Sequence, residues 1–317
     1  MEFCLKLRRR QIAKAAATRP LCLAIMLAVS TQNLAARPLS DKEISTPTEF
    51  APAPISETAQ KISASSPAFL PDGRSLLFER GIGKARFLYF TRLTDKGWTP
   101  AMLAPFSGRW LDFEPAVATD GSYIVFTSAR PRTKGGEVLE GHWKGKNYPG
   151  AGGNLWIVHR TKNGGWSSPR LLPETVNHGT SVYEPALAED GTLYFMRSDS
   201  RDDTFHLFSA KCRGKSYAPA ELLPLEGVDP AIAPDQSYIV YASSIKTPGQ
   251  MSLYISLRRH GQWSQPLRLP DTVNGSGSSK DVHLSPDQKT LYFTRGDLIW
   301  QVPFQSILQW AQRTISS

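Results

Sequence analysis

A chain of 317 residues with 40% hydrophobic and 21% charged side chains has the composition of a globular protein, long enough for one large all-β domain or two small ones. Its formal charge of +9 is inflated by residues 1–36, which hold six basic side chains and Glu2. Without them the charge is +4, too weak to argue for nucleic acid as a partner.

Residues 1–36 read as an export signal. Lys6, Arg8, Arg9, Arg10, Lys14 and Arg19 precede an apolar run from Leu21 to Val29. That run is too short to remain as a membrane-spanning helix, so cleavage and a soluble periplasmic product are expected, with no transmembrane segment afterwards. Arg9-Arg10 lies in a loose twin-arginine pattern. Cys4 and Cys22 fall in this segment, so only Cys212 follows it and no internal disulfide is expected. Residues 37–48 read as a flexible leader, and 49–317 as a single domain.

That domain is repetitive. LPETVNHGTSVYEPALAEDGTLYF, from Leu172, returns as LPDTVNGSGSSKDVHLSPDQKTLYF, from Leu269. Weaker copies surround Asp72, Asp120 and Asp235. Each copy reads as a strand, an Asp turn and a second strand, since Asp bonds its own backbone there and β-branched or aromatic residues flank it. A third apolar run follows, and then an element running from an aromatic residue to Pro. Trp98, Trp166, Tyr217 and Trp263 begin four of these elements, and Phe50 begins a fifth at the N-terminal end. Such self-similarity marks a repeat architecture. Four strands per unit and five units predict an all-β, five-bladed β-propeller. The strand around Phe50 is expected to complete the last blade and close the ring. Phe304, Ile307, Leu308 and Ala311 share one face, which predicts a short C-terminal helix.

The motifs resemble the repeats of the TolB-type β-propeller, a WD-repeat-like family of exported bacterial proteins. Glu114-Pro115, Glu184-Pro185 and Asp229-Pro230 match its acidic residue before Pro. Pro71-Asp72-Gly73 and Ser285-Pro286-Asp287 match its turn, and the ending GDLIWQVPFQSILQW is similar to its closing strand and helix. The resemblance implies fold and export. TolB itself carries an α/β domain before its propeller, for which no room is expected here.

Candidate binding residues follow from where the connections lie. In a four-stranded meander the loops into each blade share one face with those between second and third strands. Asp112, Glu114, Glu184, Asp229 and Asp281 are expected at the channel mouth on that face. A Gly-rich insertion, residues 131–153, adds His142, Trp143 and Tyr148. Repeated carboxylates suit backbone N–H groups of a neighbouring blade, or a hard divalent cation such as calcium; no other cofactor is implied. The histidines lack zinc-ligand spacing and no G-x-S-x-G elbow occurs. Two functions follow: a non-catalytic periplasmic binding or scaffold protein for a protein or envelope component, or a glycoside hydrolase using the channel-mouth acids.

Overall fold

The computed structural model describes residues 44–50, 53–56, 62–83, 85–199, 201–214, 216–246 and 248–316. They form the expected ring of five antiparallel blades. The inner strands are Ile62–Phe69, Asp112–Val117, Val182–Leu187, Val228–Ile232 and Ser279–Leu284. Each packs against the next, and the fifth against the first. Within a blade the second and third strands follow outward. The two-residue outer strands are Met102–Leu103, Arg170–Leu171, Glu221–Leu222 and Leu267–Arg268. Blade five takes its outer strand from the other end of the chain: Thr48–Glu49 pairs antiparallel with Gln301 and Trp300. No helix among the described residues is long and apolar enough to cross a membrane.

The repeated residues have separable tasks. Each turn Asp accepts the backbone N–H two residues on, at 2.9 Å for Asp72, Asp120 and Asp190, 3.0 Å for Asp235 and 3.1 Å for Asp287. The Thr-Val-Asn repeat is a staple. Asn177 Oδ1 accepts the Leu155 N–H while its Nδ2 donates to the carbonyls of Leu155 and Leu172. Asn274 does the same for Leu253 and Leu269. One buried amide thereby joins an outer strand to the strand beside it, satisfying backbone groups that a two-residue strand leaves open.

The aromatic-to-Pro element is not one strand, as the sequence suggests, but two short pieces. In blade one these are Gly97–Trp98 and Met102–Leu103, on either side of Pro100, because proline lacks the N–H a ladder needs. The aromatics wedge the blades together. Trp166 of blade two stacks on Phe90 of blade one, centroids 6.2 Å apart, and Trp263 of blade four meets Tyr194 of blade three edge-on at 6.5 Å. The apolar interior is accordingly divided among five clusters, each at a seam between neighbouring blades.

The C-terminal helix, Phe304–Ser316, buries Phe304, Ile307 and Ala311 in the seam between blades four and five. Ile44 joins the same cluster at 3% exposure, so the leader read from the sequence does not reach residue 48. Its apolar side chain covers that seam and cannot trail in solvent without losing the burial. Cys212 is disulfide-bonded, which corrects the expectation of no disulfide. The export signal lies outside the described residues.

Candidate functional site

The inner strands share a bulge. Ser66, Glu114, Glu184, Asp229 and Asp281 occupy equivalent positions, and all five have left-handed φ, between 48° and 53°. The pairing register shifts at each of them. A left-handed residue other than glycine carries strain, and its recurrence in every blade shows that the ring fixes it. The bulge re-aims each side chain, and Glu184, Asp229 and Asp281 converge, with one oxygen from each within 4.8 Å of the others.

Two of the four acids bridge blades. Glu114 Oε2 accepts the Glu184 N–H at 2.8 Å and the Thr127 hydroxyl at 2.8 Å. Asp229 Oδ2 accepts the Asp281 N–H at 3.2 Å. Glu184 differs: its Oε1 is fully buried and has no hydrogen-bond partner. In blade one the bulge residue is Ser66. Its place in the charge pattern is taken by Glu79, on the second strand opposite Ser65, 5% exposed and paired with Arg86 at 2.7 Å. Sequence reasoning missed Glu79 because only the pairing register brings it beside the ring.

Asp112 does not join the group, contrary to expectation. It is wholly buried, and its Oδ1 meets Arg130 Nη2 at 2.5 Å. Hydroxyls of Ser107 and Ser128 complete its shell. Arg130, Ser128 and Ser107 hold its carboxylate inside blade two.

Burial dominates the titration of the ring. Desolvation pushes Glu114 up to about 8, with Glu79 and Asp281 adding and the Glu184 N–H opposing. Burial, then repulsion from Glu114, Asp229 and Asp281, raises Glu184 well above the usual carboxylate range. Asp229 is raised to about 7 by burial and by Asp281. Lys280 Nζ, 3.6 Å from Asp281, supplies one compensating charge and is itself held protonated by these acids. Beyond the bulges the channel is a narrow cavity of about 100 Å³ lined by apolar residues and His283. The His283 Nε2 is buried without a partner, and burial lowers that ring to about 4.

The insertion is an ordered hairpin. Gly141–Trp143 pairs with Lys146–Tyr148 across a turn with φ of 49° at Lys144 and 67° at Gly145, the signs a type I′ turn requires. It lies on blade three. The His142 N–H donates to Ser181 at 2.8 Å, the Gly145 N–H donates to Asp203, and His142 Nε2 is 3.4 Å from Asp203 Oδ1. Trp143 packs on Phe205 at 6.2 Å, while Tyr148 is exposed. Trp143 walls a groove of about 940 Å³ that includes Phe205, His206, Leu222, Glu226 and Ser243, and reaches Val228 beside the ring acid Asp229. That volume is in the range of small-ligand sites, and Trp143 and Leu222 present apolar surface to it.

The base of the insertion has a structural role that the sequence does not announce. Leu139 is buried, and Arg132 bonds Asn154 at 2.7 Å and the carbonyls of Asn177 and Gly179. Replacing residues 132–152 by a short Gly-Ser link is therefore expected to cost about 1–3 kcal/mol in urea unfolding, from those bonds and the lost burial. Trimming only residues 142–147 to two glycines is expected to stay within about 0.5 kcal/mol of wild type. Equal costs for the two changes would show that the anchoring role of Arg132 is wrong.

No family model and no curated protein matches the sequence. Solved structures do match the fold. TolB from Acinetobacter baumannii superposes with a TM-score of 0.49 at 13% identity, over 76% of this chain and 54% of that one. A thermostable family-43 glycoside hydrolase gives 0.50 at 11% identity, over 76% and 88%. Hydrazine synthase of Kuenenia stuttgartiensis gives 0.50 at 12% identity, over 75% and 37%. The chain thus spans about half the length of the TolB structure. At such identities the likeness is one of fold, and propellers with different activities share it.

Proposed function

We propose that this chain is a non-catalytic binding propeller of the periplasm, which holds a protein component of the cell envelope on its loop-rich face. The groove walled by the docked hairpin carries the reading. It is a large concavity on that face, it combines exposed aromatic and aliphatic side chains with a few polar ones, and it rests on rigid blades. Export rests on the basic, apolar character of residues 1–36. The glycoside hydrolase reading is weaker. Such enzymes set two carboxylates across a substrate cleft, whereas Glu114 and Asp229 are engaged by backbone N–H groups and Glu184 is 3% exposed.

The test is affinity capture from envelope extract with wild type and with Trp143→Ala combined with Leu222→Lys. A partner retained by wild type and lost by the variant, with both melting within a few degrees, is the expected result. Equal capture by both, or glycan hydrolysis by the purified protein, overturns the proposal.

A further inference from the structure

We propose that blade four receives from a partner protein the arginine that the other four blades carry themselves, in the part of the groove bounded by Glu226, Gly227 and Ser243. The inference rests on reading that groove as the binding site. In blades one, three and five the second strand carries a Phe and, two residues on, an Arg: Phe78 and Arg80, Phe195 and Arg197, Phe293 and Arg295. In blade two Ser128 stands at the second position, and Arg130 reaches back to bond its Oγ at 2.7 Å. Each guanidinium has the same two tasks. It donates to a carbonyl of the connection entering its blade: Arg80 to Pro54 at 2.8 Å, Arg130 to Phe106 at 3.1 Å, Arg197 to Val176 at 3.4 Å and Arg295 to Val273 at 2.7 Å. It also lies over an aromatic of the pair that the second and third strands form: Tyr89 at 5.5 Å, Phe126 at 5.0 Å, Phe208 at 4.1 Å and Phe293 at 5.1 Å.

Blade four has the place without the residue. Its second strand reads Tyr241-Ala242-Ser243, and no arginine among the described residues covers its aromatic pair, Tyr241 stacked on Tyr254 at 6.0 Å. Both tyrosine hydroxyls are buried without a hydrogen-bond partner, and so is the Oγ of Ser252, which stands opposite Ser243. Such groups are costly to bury unmet. The connection into the blade, Leu223 to Gly227, lacks the Thr-Val-Asn stretch, and the carbonyls of Leu225 and Glu226 accept no hydrogen bond among the described residues. Gly227 offers no side chain where Asp112 of blade two and Ser279 of blade five each bond their arginine. Leu225, Glu226, Gly227, Ser243 and Ser244 all line the groove, so the arginine's place is part of it. Charge agrees. Glu226 is exposed and in no ion pair among the described residues. Burial, Tyr254 and this carboxylate together raise the Tyr241 hydroxyl above the usual phenol value. Lys144, which also lines the groove, is held over the Trp143 ring at 4.7 Å. Unmet carbonyls, an unpaired carboxylate and a neighbouring aromatic pair suit a guanidinium, whose planar fork bonds several acceptors at once, better than an ammonium.

The test titrates the isotope-labelled full chain with N-acetylated, C-amidated Gly-Arg-Gly and Gly-Lys-Gly, observing backbone amides by NMR at constant ionic strength. The arginine peptide is expected to shift the amides of Glu226, Gly227, Ser243 and Ser244 saturably and to bind roughly five-fold tighter than the lysine peptide. Ser243→Arg, which supplies the side chain from within the blade, is expected to melt at or above the wild-type temperature and to abolish that binding. Glu226→Gln is expected to weaken it severalfold with the fold intact. Equal affinity for the two peptides, shifts confined to other residues, a Ser243→Arg protein melting well below wild type, or binding unchanged by either substitution overturns the proposal. Envelope capture separates it from the wider reading. A partner lost by Trp143→Ala with Leu222→Lys but kept by Ser243→Arg retains the groove and overturns the arginine. Arginine-selective binding with no partner captured upholds the arginine's place and removes the envelope partner.

Discussion

Arg130→Met is expected to be among the most destabilising single changes in the blades, at about 3–5 kcal/mol, because it strands a buried carboxylate. Asp112 is wholly buried, and the Arg130 side chain is 10% exposed. Arg130 also donates to Ser128 Oγ and to the Phe106 carbonyl, and its guanidinium lies over Phe126 at 5.0 Å and Trp156 at 5.2 Å. Methionine keeps some of that packing but leaves Asp112 with only two hydroxyl donors. Adding Asp112→Asn to Arg130→Met should recover much of the loss, since the charge goes with its partner. The pH dependence has a definite sign. Burial already raises Asp112 above its ordinary value despite Arg130, and removing Arg130 raises it further. A carboxyl whose folded value exceeds its unfolded one is penalised as pH climbs from the unfolded value through the folded one. The deficit in melting temperature should therefore grow from pH 5 to pH 8. A deficit independent of pH, or a double variant no better than the single, would falsify the ion-pair account.

The second large effect is expected at the closure. Thr48–Glu49 contributes only two paired residues, but Phe50 anchors them. Its N–H donates to the Ile299 carbonyl at 2.8 Å, and its ring meets Tyr292 at 5.0 Å, Phe69 at 6.0 Å and Trp98 at 6.2 Å. Phe50→Ala should cost about 3–5 kcal/mol, the usual range for emptying a buried aromatic site. Removing residues 37–56 should cost more, because it uncovers the Leu298–Pro303 strand and leaves an open sheet edge that recruits other chains. Light scattering during thermal unfolding should show the truncated protein associating at temperatures where Phe50→Ala stays monomeric. An unchanged melting temperature in the truncated protein would remove the closing strand from any account of stability.

The fold was legible because its determinants are local and repeated. An Asp that bonds the N–H two residues on, a β-rich run beside it and an aromatic at a fixed distance recur within each blade, and five copies supply the count. Phe50 was readable as the last outer strand because it begins an element whose other copies follow a third strand. The site was less legible. Glu114, Glu184, Asp229 and Asp281 announce themselves by recurring in register. Glu79 does not, since it joins them through the pairing of its strand with Ser65. Asp112 misleads because its lock, Arg130, is eighteen residues away and no local pattern connects the two. The hairpin's order rests on Ser181 and Asp203, which no local pattern connects to it.

The division of the interior into five seams has a kinetic side. Each blade packs chiefly against its two neighbours, so the molecule is close to a one-dimensional lattice bent into a loop. In an open row of repeats the terminal unit can fray by giving up one interface. Here the ring has no terminal unit, and a blade that swings out must break the seams on both of its sides at once. Small excursions that would admit solvent or protease to a single blade are accordingly suppressed. The closing pair at Thr48–Glu49 is the place where the loop becomes a row, and with it opened, loss of the remaining blades proceeds one interface at a time.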